Sequence, residues 1–246
     1  MTTLITGGTG HLGRFTVPML AAAGHDVRVL SRTAGAEHVV ADLSTGAGLP
    51  GALDGVGTVV HLATTGSAKD SAQTRRLIDA ARAASVGHLV FISIVGVDRI
   101  PFAYYTDKVV SERLIEQSGI EYTILRATQF HSFVAGLFRP QRRLPVLATL
   151  DLSDQPIATE EVATRLTELA SGAPAKRVDD IGGPQQLTLR ECADQWQAAR
   201  GTHKPVVTLR IPGRITAAFR AGHHLTALPG YGTRTFADYA REANSA

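Results

Sequence analysis

Apolar and amphipathic blocks alternate through the first half of the chain. Short runs rich in Val, Ile and Leu at 3–6, 26–30, 38–40, 58–62, 88–93 and 122–126 predict strands, and 3.6-residue periodicity at 14–23, 70–84 and 104–118 predicts helices between them. The strand runs lack polar alternation, as expected where helices cover both faces of a parallel sheet. The expected fold class is therefore α/β, a doubly wound parallel sheet whose strand C-termini align along one edge through right-handed crossovers. Beyond Arg126 the pattern loosens. Residues 128–138, 159–171, 189–199 and 213–221 read as helices, and 140–156 as a loop rich in Arg and Pro. There is no Pro/Gly/Ser-rich linker and no internal repeat, so residues 1–246 read as one structural unit.

The first strand runs directly into Thr6-Gly7-Gly8-Thr9-Gly10-His11-Leu12-Gly13, followed by the first helix. A strand, a glycine turn and a helix start in this order suit a dinucleotide diphosphate: the backbone turns sharply, phosphates approach without meeting a Cβ, and helix N–H groups face the anion. Both Gly8-x-Gly10-x-x-Gly13 and Gly7-x-x-Gly10-x-x-Gly13 are satisfied. On this reading residues 1–126 form a cofactor-binding core and 127–246 mainly a substrate-shaping lobe.

Composition narrows the class. The chain has 246 residues, 44% hydrophobic and 19% charged, which excludes disorder. A strand begins within three residues of Met1 without a basic-then-apolar leader, and nowhere do eighteen apolar residues run together, so a cytoplasmic protein with no membrane partner is expected. The single cysteine, Cys192, excludes an internal disulfide and a cysteine metal cage, and no His-Glu-x-x-His run offers metal ligands. The net charge of +3 comes from scattered arginines, clustered only at Arg139, Arg142 and Arg143, with no interleaved aromatics. Nucleic acid is not an expected partner; a small-molecule substrate is. Oligomeric state is not legible.

The strand ends carry the candidate chemistry. The second strand ends Ser31-Arg32 with no carboxylate for a ribose 2′-hydroxyl, and the guanidinium suits a 2′-phosphate, so NADP(H) is favoured over NAD(H). Asp42 and Leu43 follow the third strand, where they can meet adenine; the Asp equally suits a turn. Leu62, Ala63 and Thr64 end the fourth strand on the expected cofactor path. Tyr104-x-x-x-Lys108 places a phenol and an ammonium on one helix face, where the ammonium is expected to lower the phenol pKa toward proton transfer and to hold the nicotinamide ribose. Tyr105, three residues from Lys108, competes with Tyr104 for this role. Ser93, at the end of the fifth strand, suits a hydrogen bond to a substrate carbonyl or a strand cap. Gln129, Phe130 and His131 follow the sixth strand as candidate substrate-binding residues.

Thr6 to Gly13, the segment Ser93-Ile94-Val95-Gly96-Val97-Asp98, Tyr104 to Lys108, and the stretch Tyr122 to Phe130 together resemble the atypical short-chain dehydrogenases/reductases of the NmrA-like, NAD(P)H-binding type. The resemblance implies a Rossmann-like core, NADP(H), and a pocket lined by the segment after Arg126. It implies an NADPH-dependent oxidoreductase that reduces a carbonyl or a conjugated or imine-like double bond in a small, apolar or aromatic molecule, with Tyr104, Lys108 and Ser93 as its catalytic set. Val95 departs from the pattern, standing where such enzymes usually carry a Ser or Thr. Two alternatives stand beside this reading: a non-catalytic NADP(H)-sensing regulator, and a cyclase or isomerase that uses the same pocket without net redox change.

Overall fold

The computed structural model describes residues 1–35 and 38–245. In chain order the elements are β1 (Thr2–Thr6), α1 (Gly13–Ala22), β2 (Asp26–Ser31), β3 (His38–Val40), α2 (Leu49–Leu53), β4 (Thr58–His61), α3 (Asp70–Ala83), β5 (His88–Ile94), α4 (Ala103–Glu116) and β6 (Tyr122–Ala127). There follow α5 (His131–Phe138), a 3-10 turn (Arg139–Arg143), β7 (Leu147–Leu150), β8 (Ser153–Asp154), α6 (Thr159–Ser171), β9 (Lys176–Arg177), β10 (Leu187–Thr188), α7 (Leu189–Ala198), β11 (Val206–Leu209), α8 (Arg214–Arg220) and α9 (Phe236–Ser245).

Seven strands form one parallel sheet in the order β3-β2-β1-β4-β5-β6-β9. Strand residues of one parity, Leu4, Val59, Leu89, Phe91 and Ile124, pack with Ala52, Leu77, Ile78 and Ile115 of α2, α3 and α4 in a single cluster. Because side chains alternate across a strand, Ile5, Val60, Val90 and Leu125 point to the opposite face, where they are equally buried. Both faces are apolar, which is why the strands read as continuous hydrophobic runs. All six strands expected from the pattern are present, with ends moved by at most one residue.

The chain divides into two compact units. One comprises Met1–Ser93, Phe102–Arg126 and Thr159–Asp179; the other comprises Ile94–Pro101, Ala127–Ala158 and Asp180–Ala246. Residues Thr159–Asp179 thus group with the first unit. Helix α6 packs against α1, and β9 extends the sheet beside β6, pairing Thr123 with Lys176 and Ile124 with Arg177.

In the second unit α5, α7 and α9 share a core of Val134, Phe138, Leu189, Cys192, Trp196 and Phe236. Burial pushes the Cys192 thiol far above its usual range, aided by the charges of Asp154 and Glu191, so it packs as an inert apolar group. The helix expected from residue 128 starts only at His131. Thr128 stays extended because its N–H donates to Ile181 O and its hydroxyl to Gln155 O, at 3.0 and 2.5 Å. The expected loop at 140–156 contains most of the 3-10 turn, β7 and β8, pieces too short to show a period. Among the described residues no helix is long and apolar enough to cross a membrane.

One buried ion pair joins α4 to β6 in the first unit. Arg126 donates through Nε and Nη2 to the two oxygens of Glu112 at 2.8 and 2.6 Å, and both side chains are almost fully enclosed. Removing one partner strands the other charge, so Glu112→Ala is expected to lower the unfolding free energy by about 3 kcal/mol, measured by urea titration.

Candidate active site

At the turn after β1, Gly7 and Gly13 are required by what lies against them. Gly7 sits at φ +70°, and a Cβ there would lie 2.7 Å from Ala63 N; a Cβ on Gly13 would lie 2.3 Å from Gly7 O. Strand β1, the turn and the end of β4 are therefore in backbone contact, and α1 closes directly onto the turn. At Gly10 a Cβ would meet only Gly7 O, at 3.1 Å, so the space outside this exposed residue is open to a ligand. Helix α1 starts at Gly13 with no side-chain cap and no acidic residue in its first turn, so no side chain there competes with an anion, although Arg14 N–H is taken by Gly10 O and Phe15 and Thr16 N–H by Leu12 O. The turn thus fits a dinucleotide diphosphate. Thr9 and His11 are exposed beside Gly10, while Gly8 and Leu12 pack inward. His11 Nε2 lies 3.0 Å from Thr159 Oγ1 at the start of α6.

At the end of β2, Ser31 Oγ accepts from Thr33 N–H at 3.2 Å, shaping the bend that presents the exposed Arg32. Asp42 Oδ1 accepts from Ser44 N–H at 2.7 Å, and Asp42 O accepts from Gly46 N–H. The carboxylate is thus engaged in its own turn, and Leu43 belongs to the sheet core.

Below the turn runs a buried polar chain. Thr6 Oγ1 accepts from Ala63 N–H and lies 2.6 Å from His61 Nδ1, while His61 Nε2 lies 3.1 Å from Thr74 Oγ1. Thr74 donates its own proton to Asp70 O, so it accepts from His61 Nε2–H, and His61 Nδ1 accepts from the Thr6 hydroxyl. Burial, with Lys108 nearby, lowers the His61 pKa to about 3, leaving a neutral structural imidazole.

The candidate reactive groups gather on the facing sides of α3 and α4. Tyr104 Oη lies 3.0 Å from Thr64 Oγ1, and Thr64 donates to Asp70 Oδ2 at 2.5 Å. Asp70 Oδ1 accepts from Thr65 N–H and the Thr65 hydroxyl, each at 2.7 Å. Lys108 Nζ lies 3.7 Å from Asp70 Oδ2, with side-chain exposures of 4% and 2%, and 4.7 Å from the centroid of the Phe91 ring. Asp107 takes Ser71 N–H and the Ser71 hydroxyl at 2.9 and 2.5 Å, fixing the start of α3 against α4. Ser93 shares a β5 face with Phe91; its hydroxyl oxygen is buried and has no hydrogen-bond partner among the described residues.

The geometry separates the two tyrosines. Tyr104 is half-buried with its hydroxyl on Thr64, whereas Tyr105 is buried, its ring 5.5 Å from that of Phe102. It also corrects one expectation: the Tyr104 pKa is raised, not lowered. Burial is the largest cause, opposed by the hydrogen bond to Thr64 and reinforced by the charges of Asp70 and Asp107. The ammonium expected to stabilise a phenolate is paired with Asp70 instead. Burial lowers the Lys108 pKa, against the pull of Asp70.

Three further placements stand in the second unit. His131 is buried, its Nε2–H donating to Pro156 O at 3.0 Å and its ring 5.9 Å from that of Phe236, as a packing residue does. Phe130 and Gln129 are half-buried just ahead of α5. Sequence reading passed over Asp70 and Thr65, taking Asp70 only as a helix start. The available signal was polar residues at helical spacing, 70, 71 and 74 on α3 and 104, 107, 108 and 111 on α4, where a helix pair between sheet strands would ordinarily be apolar.

A family model described as NAD(P)H-binding matches residues 7–171, and the chain belongs to that family. The photosystem II assembly factor Ycf39 of Trieres chinensis is 33% identical over 171 residues, 62% of this chain and 52% of that protein. Quinone oxidoreductase 2 of Escherichia coli K12 is 29% identical over 133 residues, 50% of this chain and 46% of that protein. The chain thus spans about half the length of these curated relatives. Among solved structures, the NADPH complex of the Escherichia coli NADPH-dependent quinone oxidoreductase superposes with a TM-score of 0.85 at 20% identity, covering 98% of this chain and 99% of that one. The Citrobacter triphenylmethane reductase complexed with NADP(H) gives 0.82 at 18% identity, covering 99% and 100%. The Rossmann-like fold and the NAD(P)H-binding family read from the sequence are borne out.

The His61 pKa yields a signed pH dependence. Its folded value of about 3 lies below the unfolded 6.5, so the unfolded chain binds the extra proton and stability falls as pH drops from 6.5 toward 3. Unfolding free energies measured from pH 7 to 4 are expected to lose up to about 1.4 kcal/mol per pH unit through this group, a component that His61→Asn removes.

Proposed function

We propose that the protein is an NADPH-dependent reductase of small apolar or aromatic carbonyl compounds, quinones foremost. The observation that carries this reading is a continuous run of contacts in the first unit: the glycine turn rests on Ala63, the next residue is Thr64, and Thr64 holds the Tyr104 hydroxyl beside the buried Lys108. A diphosphate cradle and a proton-bearing phenol are thereby fixed on one rigid frame, as hydride and proton delivery to one substrate require. The name of the Escherichia coli quinone oxidoreductase supports the substrate class.

Gly10 and the N-terminus of α1 would hold the diphosphate, Arg32 with Ser31 the 2′-phosphate, and Lys108 the nicotinamide ribose. The bound dinucleotide supplies the hydride. Tyr104 presents its hydroxyl as the proton donor to the substrate oxygen, and the unpartnered Ser93 hydroxyl orients that oxygen. The similarity to a photosystem II assembly factor favours a second reading, a dinucleotide-binding protein that acts through a partner without turnover.

Steady-state reduction of 1,4-benzoquinone and menadione with NADPH separates the two readings. Turnover supports the reductase; NADPH binding with no turnover on either quinone supports the second reading. Tyr104→Phe is expected to lower kcat by about a hundredfold while the NADPH Kd changes less than about threefold. Arg32→Ala is expected to weaken NADPH binding by about tenfold or more and leave NADH binding nearly unchanged, measured by fluorescence titration.

A further inference from the structure

Hydrogen-bond polarity in the Tyr104 cluster is fixed by counting protons. Thr64 Oγ1 carries one proton and spends it on Asp70 Oδ2 at 2.5 Å. It accepts from Gly66 N–H at 3.0 Å, so its remaining contact, with Tyr104 Oη, has the phenol as donor. The chain therefore reads Tyr104 to Thr64 to Asp70. The same Asp70 oxygen that takes the Thr64 proton faces Lys108 Nζ at 3.7 Å, while the other oxygen is occupied by Thr65. Among the described residues Asp70 Oδ2 thus stands between the ammonium, at ion-pair distance, and the hydroxyl chain.

We propose that Thr64 and Asp70 form a proton relay that connects the Lys108 ammonium to the Tyr104 hydroxyl. The inference rests on the reductase reading above. For delivery the Thr64 and Tyr104 hydroxyls turn toward Tyr104 and the substrate oxyanion, and the Lys108–Asp70 ion pair closes from 3.7 Å to hydrogen-bond distance; Tyr104 then gives its proton to the oxyanion, Thr64 gives its proton to Tyr104, and the proton that Lys108 gives Asp70 passes on to Thr64. One N–H bond breaks at Lys108 and one O–H bond forms on the product; Tyr104, Thr64 and Asp70 each lose and gain one proton. Lys108 is left neutral, and its next proton enters at the exposed Thr64 and returns through Asp70. The polarity in the structure is that of the relay after delivery.

The surroundings suit such a path. A free phenolate at Tyr104 is disfavoured by burial and by the Asp70 and Asp107 carboxylates, and a concerted relay avoids forming it. Loss of a proton from Lys108 is eased by its burial, although Asp70, Asp107 and Glu112 all oppose it. Ser71 holds Asp107 through two hydrogen bonds, so the start of α3, and Asp70 with it, stays fixed against α4. Thr64 and Asp70 act through Tyr104 and are positioning residues.

The test compares wild type, Thr64→Val, Thr64→Ser and Asp70→Asn with saturating NADPH and 1,4-benzoquinone in H2O–D2O mixtures. The relay predicts a bowed dependence of kcat on deuterium fraction in wild type, as when several protons move together. It predicts a loss of about tenfold or more in kcat and a linear dependence in Thr64→Val, with both features restored in Thr64→Ser. Thr64 is exposed, so these variants test the idea even if Asp70→Asn fails to fold. Without substrate, ultraviolet titration referenced to Tyr104→Phe is expected to show the Tyr104 phenol titrating at lower pH in Asp70→Asn. Thr64→Val with wild-type kcat and a bowed dependence overturns the relay and leaves the reductase reading intact. An unchanged Tyr104 titration in Asp70→Asn overturns the coupling. Wild type that binds NADPH but reduces no quinone overturns the reductase reading, and the relay with it.

Discussion

An ammonium buried between two helices sets the terms for the site. Lys108 is enclosed almost completely, and an unpaired charge at that depth would cost several kcal/mol, so a counter-charge has to come from a neighbouring element. Asp70 provides it from the first turn of α3, and Asp70 must in turn satisfy its own lone pairs. It does so with the Thr64 hydroxyl and with the amide and hydroxyl of Thr65, which draws the loop after β4 down onto α3. Thr64 then has only acceptor capacity left, and Tyr104 fills it. The position of the phenol is the last consequence of burying the lysine.

This arrangement works only because the sheet brings the pieces to one edge. Strands β1 and β4 are paired in register from Thr3 with Thr58 to Thr6 with His61, so the glycine turn and the Thr64 loop leave the sheet side by side. Gly7 and Gly13 let the backbones meet without a Cβ between them. The Thr6, His61, Thr74 chain gives the same edge a buried polar floor in which donors and acceptors match, with histidine held neutral. Rigidity here comes from satisfied polar groups as much as from apolar packing.

The frame was legible from the sequence because its signals are local. Strands buried on both faces read as apolar runs, helices as periodic stretches, and the glycine turn carries a spacing that backbone geometry imposes. Tyr104 and Lys108 stood out as candidates for the same reason, since a separation of four puts two side chains on one helix face. The second unit was less legible. Its strands of two to four residues have no period, and α6 with β9 returns to the first unit through contacts made far along the chain.

By itself, then, the sequence determined the order of elements in the first half, the glycine turn and the placing of Tyr104 and Lys108 on one helix face, all properties of neighbours within a few residues. Only the tertiary structure decided that the amine pairs with Asp70, that Tyr104 rather than Tyr105 faces Thr64, and that the phenol pKa rises. Those outcomes depend on burial and on charges 34 to 38 positions apart in the chain, from Asp70 to Tyr104 and Lys108, and no local pattern encodes such distances.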